Sequence, residues 1–222
     1  MQDFFGWFFE LSKLCIQWLF ENLNYWTVTL FMAIESSFIP FPSEVVVPPA
    51  AWIAASSTEM TFVGVVIFAT IGANIGGLVN YYLAKFLGRP VIYSFARSRW
   101  GRLFLLNESK IKYAEAYFEK NGAMSTFIGR LIPAVRQLIS IPAGLSGMNI
   151  GKFLIYTTLG AGTWNLILAG IGYAIFKAFP EIKTVNDVAT KAEEYSHVIG
   201  YAILGVVILV AIYYLFKHFK KK

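Results

Sequence analysis

Residues 127–144 read Phe-Ile-Gly-Arg-Leu-Ile-Pro-Ala-Val-Arg-Gln-Leu-Ile-Ser-Ile-Pro-Ala-Gly. The stretch is apolar enough to sit in a bilayer, yet it carries Arg130 and Arg136, with Pro133 between them and Pro142 beyond. An arginine at membrane depth costs at least ~2.5–3.5 kcal/mol on insertion scales, so two in one apolar segment require partners. Each proline removes a backbone donor and interrupts the i→i−4 ladder, which argues against one straight spanning helix. Broken backbone at that depth is tolerated only where it is buried in protein or lines a water-filled cavity. The stretch therefore reads as a re-entrant, broken helix that presents two cations to a polar cavity.

Composition identifies the solvent. Of 222 residues, 57% are hydrophobic and only 14% charged, and a soluble domain of this length could not hide so much apolar surface. An all-α integral membrane protein is expected, with residues 1–222 forming a single membrane domain. Met1–Asp3 lacks the basic n-region of a cleavable signal. Cys15 is the single cysteine, which excludes an intrachain disulfide. His197 and His218 lie far apart without Cys or acidic neighbours at ligand spacing, so no metal and no cofactor are expected. No Ser/His/Asp or Cys/His set appears, and Ser140 and Ser146 lack a plausible base, so an enzyme is the least favoured class. The net charge of +6 is concentrated in particular loops, which makes it a topology signal before a nucleic-acid signal.

In chain order, residues 3–22 carry a polar stripe, Asp3, Gly6, Glu10, Lys13, Gln17 and Glu21, at spacings of three and four. An interfacial amphipathic helix is the reading, with a spanning helix as the alternative. Residues 24–57 are apolar but interrupted by Pro40, Pro42, Pro48 and Pro49, and they contain Glu35 and Glu44. That pattern predicts a hairpin that enters and leaves the same side of the membrane. Residues 61–87 form a spanning candidate with Gly72, Ala73, Gly76 and Gly77 available for close helix approach. In the basic loop 88–122, Asn107 caps a surface helix that should stop at Gly122. The broken stretch follows, then a second span at 151–178, a polar loop at 179–196 and a last span at 197–216 with a lysine-rich tail. The positive-inside rule puts the 88–122 loop and the C-terminus in the cytoplasm.

This order repeats. Surface helix, re-entrant broken hairpin and spanning helix occur at 3–87 and again at 107–178 in opposite orientation, followed by the C-terminal transmembrane helix. Inverted repeats with paired discontinuous helices are the architecture of alternating-access transporters, whose site lies near midplane between the two breaks. Folded about a pseudo-two-fold axis, the repeats would bring Glu35 and Glu44 of the first hairpin towards Arg130 and Arg136 of the second. In one reading the carboxylates only neutralise the guanidinium groups so that both hairpins can be buried. In the other, the arginines grip an anionic group bidentately and the glutamates carry protons. Asn74, Asn80 and Asn165 are expected to bond between helices, and Trp164, Tyr81, Tyr82 and Tyr173 to pack or anchor.

These residues also carry a resemblance. Glu35-Ser-Ser-Phe-Ile-Pro-Phe-Pro-Ser-Glu44 resembles the E-x(4)-P-x-P-x-E signature of the DedA membrane proteins. Arg130-Leu-Ile-Pro-Ala-Val-Arg136, continuing through Pro142-Ala-Gly144, is similar to that family's R-x-x-P-x-x-R signature and its following Ala-Gly step. Gly160 to Trp164 and Gly172-Tyr173 resemble its later G-x(3)-W and G-Y positions, so the likeness covers about residues 20–180. One position departs: many members carry an acidic residue after a glycine in the first span, where this chain has Gly76-Gly77.

The resemblance implies a lipid translocase of the bacterial inner membrane. It would be linked to the proton motive force and would move undecaprenyl phosphate or phosphatidylethanolamine. By that analogy Glu35 and Glu44 are the proton-coupling pair, Arg130 and Arg136 bind the substrate phosphate, and Pro40, Pro42, Pro133 and Pro142 break the hairpins. The expected partners are a polyprenyl phosphate or phospholipid and protons, with homo-oligomerisation left open. A proton-coupled cation or drug antiporter, and a non-transporting membrane-assembly factor, are the rival classes.

Overall fold

The computed structural model describes residues 14–37, 43–94 and 108–196, apart from 16, 89 and 92, together with 198, 199, 202 and 205. Residues 3–13, Pro40, Pro42, Asn107 and most of the last expected span, 197–216, lie outside the described residues. Among the described residues every element is helical.

Helix α1, Tyr25–Glu35, starts at Asn24, whose side chain accepts from the backbone of Trp26 and Thr27 while Thr27 returns a bond to the Asn24 N–H. This reciprocal cap satisfies three donors that the first turn would otherwise leave open. A short 3₁₀ turn, Ser43–Val45, leads to α2, Val47–Ser56. Pro48 and Pro49 fall in its first turn, where a missing N–H breaks no helical bond. At 11 and 10 residues, α1 and α2 are each ~15 Å long, about half of a ~30 Å hydrocarbon core.

Helix α3, Phe62–Leu83, continues through a π-helical turn, Ala84–Gly88. Phe62–Gly88 and Ile150–Ala178 are the two stretches among the described residues that are long and apolar enough to cross a membrane. The outer face of α3 is a row of exposed large apolar residues, Val63, Ile67, Ile71, Ile75 and Val79. Its inner face buries Gly72, Ala73, Gly76, Gly77, Asn80 and Tyr81. Large apolar groups outside and small or polar ones inside suit a helix that meets lipid on one side and packed helices on the other.

Helix α4, Glu108–Arg130, corrects one expectation: it runs straight through Gly122 and ends eight residues later at Arg130. Gly122 is buried against Phe118 and Met148, and this packing offsets the ~1 kcal/mol that glycine costs inside a helix. The helix stops just ahead of Pro133, with Ile132 extended at φ −104°, ψ 115°, because proline's ring disfavours helical geometry in the residue before it. Two short helices follow, α5, Pro133–Arg136, and α6, Ser140–Leu145. Pro142 lies in the first turn of α6, where its missing donor is tolerated. Gly147, at φ 68°, turns the chain into α7, Ile150–Ala178, which is capped by Asn149.

Helix α1 packs on α3 and α4 packs on α7. The second arm of each hairpin crosses over: α2 packs on α7, and α6 packs on α3. The spans α3 and α7 pack on each other. Residues 179–196, expected as a polar loop, include a helix at 185–196 that buries Val188 and Ala192 in the main core beside Leu19, Val28 and Leu168.

Candidate functional site

The site lies where the two breaks meet. Glu35 is the last residue of α1, and Ser43 and Glu44 lie in the 3₁₀ turn before α2. Arg130 ends α4 and Arg136 ends α5. All five side chains are buried. Helix termini expose unpaired backbone groups, so both breaks concentrate polar atoms where the chain also carries its charges.

Arg136 binds the two hairpins together. Its Nη2 lies 2.8 Å from Glu35 Oε1 and 3.6 Å from Glu44 Oε2, and its Nη1 donates to Ser43 Oγ at 2.6 Å. The guanidinium also lies over the Trp164 ring, 5.4 Å from its centroid, a cation–π geometry. The N–H groups do not aim at Glu35 Oε1, so that contact is a close ion pair rather than an aligned hydrogen bond. Glu35 Oε2 accepts from Ser36 Oγ at 2.9 Å, while Glu44 receives only a long contact, 3.4 Å, from Ser43 Oγ. Glu44 is the less firmly held of the two carboxylates.

Arg130 is placed differently. Its Nη2 donates to Ser140 Oγ at 2.9 Å, its Nε has no hydrogen-bond partner, and no carboxylate among the described residues lies within ion-pair distance of it. It is 2% exposed. Of the four charged side chains expected to converge, three therefore form one ion-paired cluster and Arg130 stands beside it. Two glycines make its room: a Cβ at Gly77 would meet the Arg130 guanidinium, and one at Gly160 would meet Arg130 Cβ. Gly76-Gly77 thus has a steric reason as well as a packing one.

Backbone bonds lock the breaks to each other. Gln137 Nε2 donates to the Glu35 carbonyl at 3.0 Å, and Asn80 Nδ2 lies 3.2 Å from the carbonyls of both Ser36 and Gln137. Each of these carbonyls lies at or just past a helix end, where water or a side chain must stand in for the lost ladder. Asn74 and Asn165 join α3 to α7 through Thr158 and Thr70. Sequence reading missed Ser43 and Gln137, because a serine or glutamine in an apolar run carries no signal of what it will face. It read Trp164 as a packing or anchoring residue, and the ring does pack in the main core while supporting Arg136.

A family model, the VTT domain, matches residues 41–174. That match covers more than half of the chain and includes Glu44 and both arginines. The chain belongs to the VTT-domain family, the DedA proteins. This DedA protein is 33% identical to an alkaline phosphatase-like protein of Lactococcus lactis strain MG1363, over 91% of its own length and 90% of the relative's. It is 29% identical to undecaprenyl phosphate transporter A of Staphylococcus aureus, over 91% of its own length and 96% of the relative's. With undecaprenyl phosphate transporter A of Bacillus subtilis it shares 29% identity over 91% and 92% of the two lengths. No solved structure matches the chain. Family and apolar helices together make this a bacterial-type membrane protein.

Proposed function

We propose that this DedA protein is a flippase that moves a phosphate-headed lipid, undecaprenyl phosphate above all, across the bacterial inner membrane in a cycle linked to the proton motive force. The observation that carries the reading is the division of labour between the arginines. Arg136 is held by Glu35, Glu44 and Ser43 across the hairpin junction, while Arg130 is buried beside it with donors to spare and no carboxylate. A buried guanidinium with open N–H positions suits a phosphate, which it grips in a planar, charge-assisted fork. The transporters from S. aureus and B. subtilis, similar along nearly their whole length, support the choice of lipid.

The cycle follows from competition. An anionic head group bound at Arg130 adds negative charge beside Glu35 and Glu44, and protonation of one of them offsets that charge. Glu44, with the longer contacts, is the first candidate. A neutral Glu44 loosens the Arg136 cluster and lets the hairpins part, with the acyl chain remaining in lipid. The main helix contacts support an inverted repeat over 3–87 and 107–178, since α1 on α3 corresponds to α4 on α7, and α2 on α7 to α6 on α3. Half-length arms meeting at a break support re-entrant hairpins. Basic residues in 88–122 and at the C-terminus support a cytoplasmic location for both.

A second reading has one observation in its favour. Both Nη atoms of Arg136 are held by protein groups, as in a structural arginine of a proton-coupled cation antiporter. Proteoliposomes with an imposed pH gradient separate the two. Polyprenyl phosphate and phosphatidylethanolamine translocation would be followed for wild type, Arg130→Gln and Arg136→Ala. Gradient-dependent movement of polyprenyl phosphate that both variants abolish is the expected result. Proton–cation exchange without lipid movement would overturn the flippase reading, and movement of phosphatidylethanolamine alone would replace the substrate.

A further inference from the structure

We infer that Thr157, on the buried face of α7, is a further ligand of the anionic head group, supplying a neutral hydroxyl donor next to Arg130. The inference rests on the reading of Arg130 as the anion-binding cation. Phe153, Thr157 and Gly160 stand at i, i+4 and i+7 and share one face of α7. The Arg130 side chain runs along that face: its Cβ and Cγ lie against Gly160, and its guanidinium lies where a Cβ on Gly77 would also meet the Phe153 ring. Thr157 stands between Phe153 and Gly160 on that same face.

Thr157 is fully buried, and its hydroxyl has no hydrogen-bond partner among the described residues. That is unusual in this chain. Thr29, Thr70, Thr163 and Thr190 each donate to the carbonyl four residues back, as helix threonines commonly do. A buried hydroxyl without a partner is a penalty in the unliganded protein, and Arg130 Nε is a second buried donor without a partner among the described residues. Two unpaired donors, one cationic and one neutral, on a side chain and a helix face that Gly77 and Gly160 allow to pack closely, suit an oxyanion with several acceptor lone pairs. Ser140 Oγ already accepts from Arg130 Nη2.

The role makes two opposite demands on an isosteric change. Thr157→Val removes the hydroxyl but keeps the shape. Full-length protein in nanodiscs would be titrated with a short-chain polyprenyl monophosphate, and its melting temperature recorded with and without that lipid. The expected result for Thr157→Val is a melting temperature equal to or above wild type without lipid and a Kd raised about tenfold or more, the loss of one charge-assisted hydrogen bond. Thr157→Ser, which retains the hydroxyl, should stay within a few-fold of wild type. An unchanged Kd in Thr157→Val, with Arg130→Gln binding weakly, overturns the role of Thr157 and leaves the flippase reading standing. An unchanged Kd in Arg130→Gln overturns both.

Discussion

Arg136, at the end of a four-residue helix in the second hairpin, lies 2.8 Å from Glu35, the last residue of the first helix of the other hairpin. About a hundred residues of chain separate them, and both are buried. The pair therefore fastens one half of the protein to the other at the point where both helices are broken. Removing one member of such a buried pair leaves an uncompensated charge. Glu35→Ala is expected to destabilise by about 3–5 kcal/mol, and Glu35→Ala with Arg136→Met by less than the sum of the two single changes. A double-mutant cycle on melting temperature checks this; strict additivity would mean that the two side chains do not act as a pair.

Arg136→Lys keeps the charge and loses the fork. A single ammonium cannot serve Ser43, Glu35 and Glu44 together while lying on the Trp164 ring. Lower thermal stability and lost lipid translocation are expected together. Wild-type transport by this variant would show that the geometry of the cluster is irrelevant to function.

Two adjacent glycines should respond differently to the same methyl group. At Gly76 a Cβ would run into the Ala33 carbonyl and Ser36, which are fixed by helix α1, whereas at Gly77 it meets the movable end of Arg130. Gly76→Ala is expected to cost about 1–3 kcal/mol of stability, the usual penalty of overpacking. Gly77→Ala should fold close to normally, yet bind polyprenyl phosphate more weakly because the guanidinium is pushed aside. Melting curves and lipid titration on the two variants decide it, and equal melting temperatures would count against the close approach of α1 to α3.

The polar ladder between the spans is separate from the charged cluster. Asn165 Nδ2 lies 3.2 Å from Thr70 Oγ1 and forms one rung. Interhelical hydrogen bonds in membranes average about 0.6 kcal/mol, so Asn165→Leu should lower stability by roughly that amount and leave translocation intact. A large loss of transport with little loss of stability would draw Asn165 into the site.

The sequence alone determined the solvent, the class and the four charges. Hydropathy sufficed to find the spans 61–87 and 151–178, because burial in lipid demands long apolar helices whatever they pack against. Arg130, Arg136, Glu35 and Glu44 stood out for the same reason: charge in an apolar run is too costly to be incidental. Local chemistry also marked the break ahead of Pro133, where proline restricts the residue before it. It failed at Gly122, since a glycine is tolerated inside a helix when its neighbours pack, and those neighbours include Met148 from a distant loop. Only the tertiary structure decided that Glu35, Glu44 and Ser43 all converge on Arg136, that Arg130 is left with Ser140, and that Thr157 has no acceptor. Which carboxylate meets which guanidinium depends on how the α2 and α6 arms cross between the spans. That crossing is set by close contacts such as Gly172 against Pro48 and Gly144 against Tyr81, far apart in the chain and invisible to any local pattern.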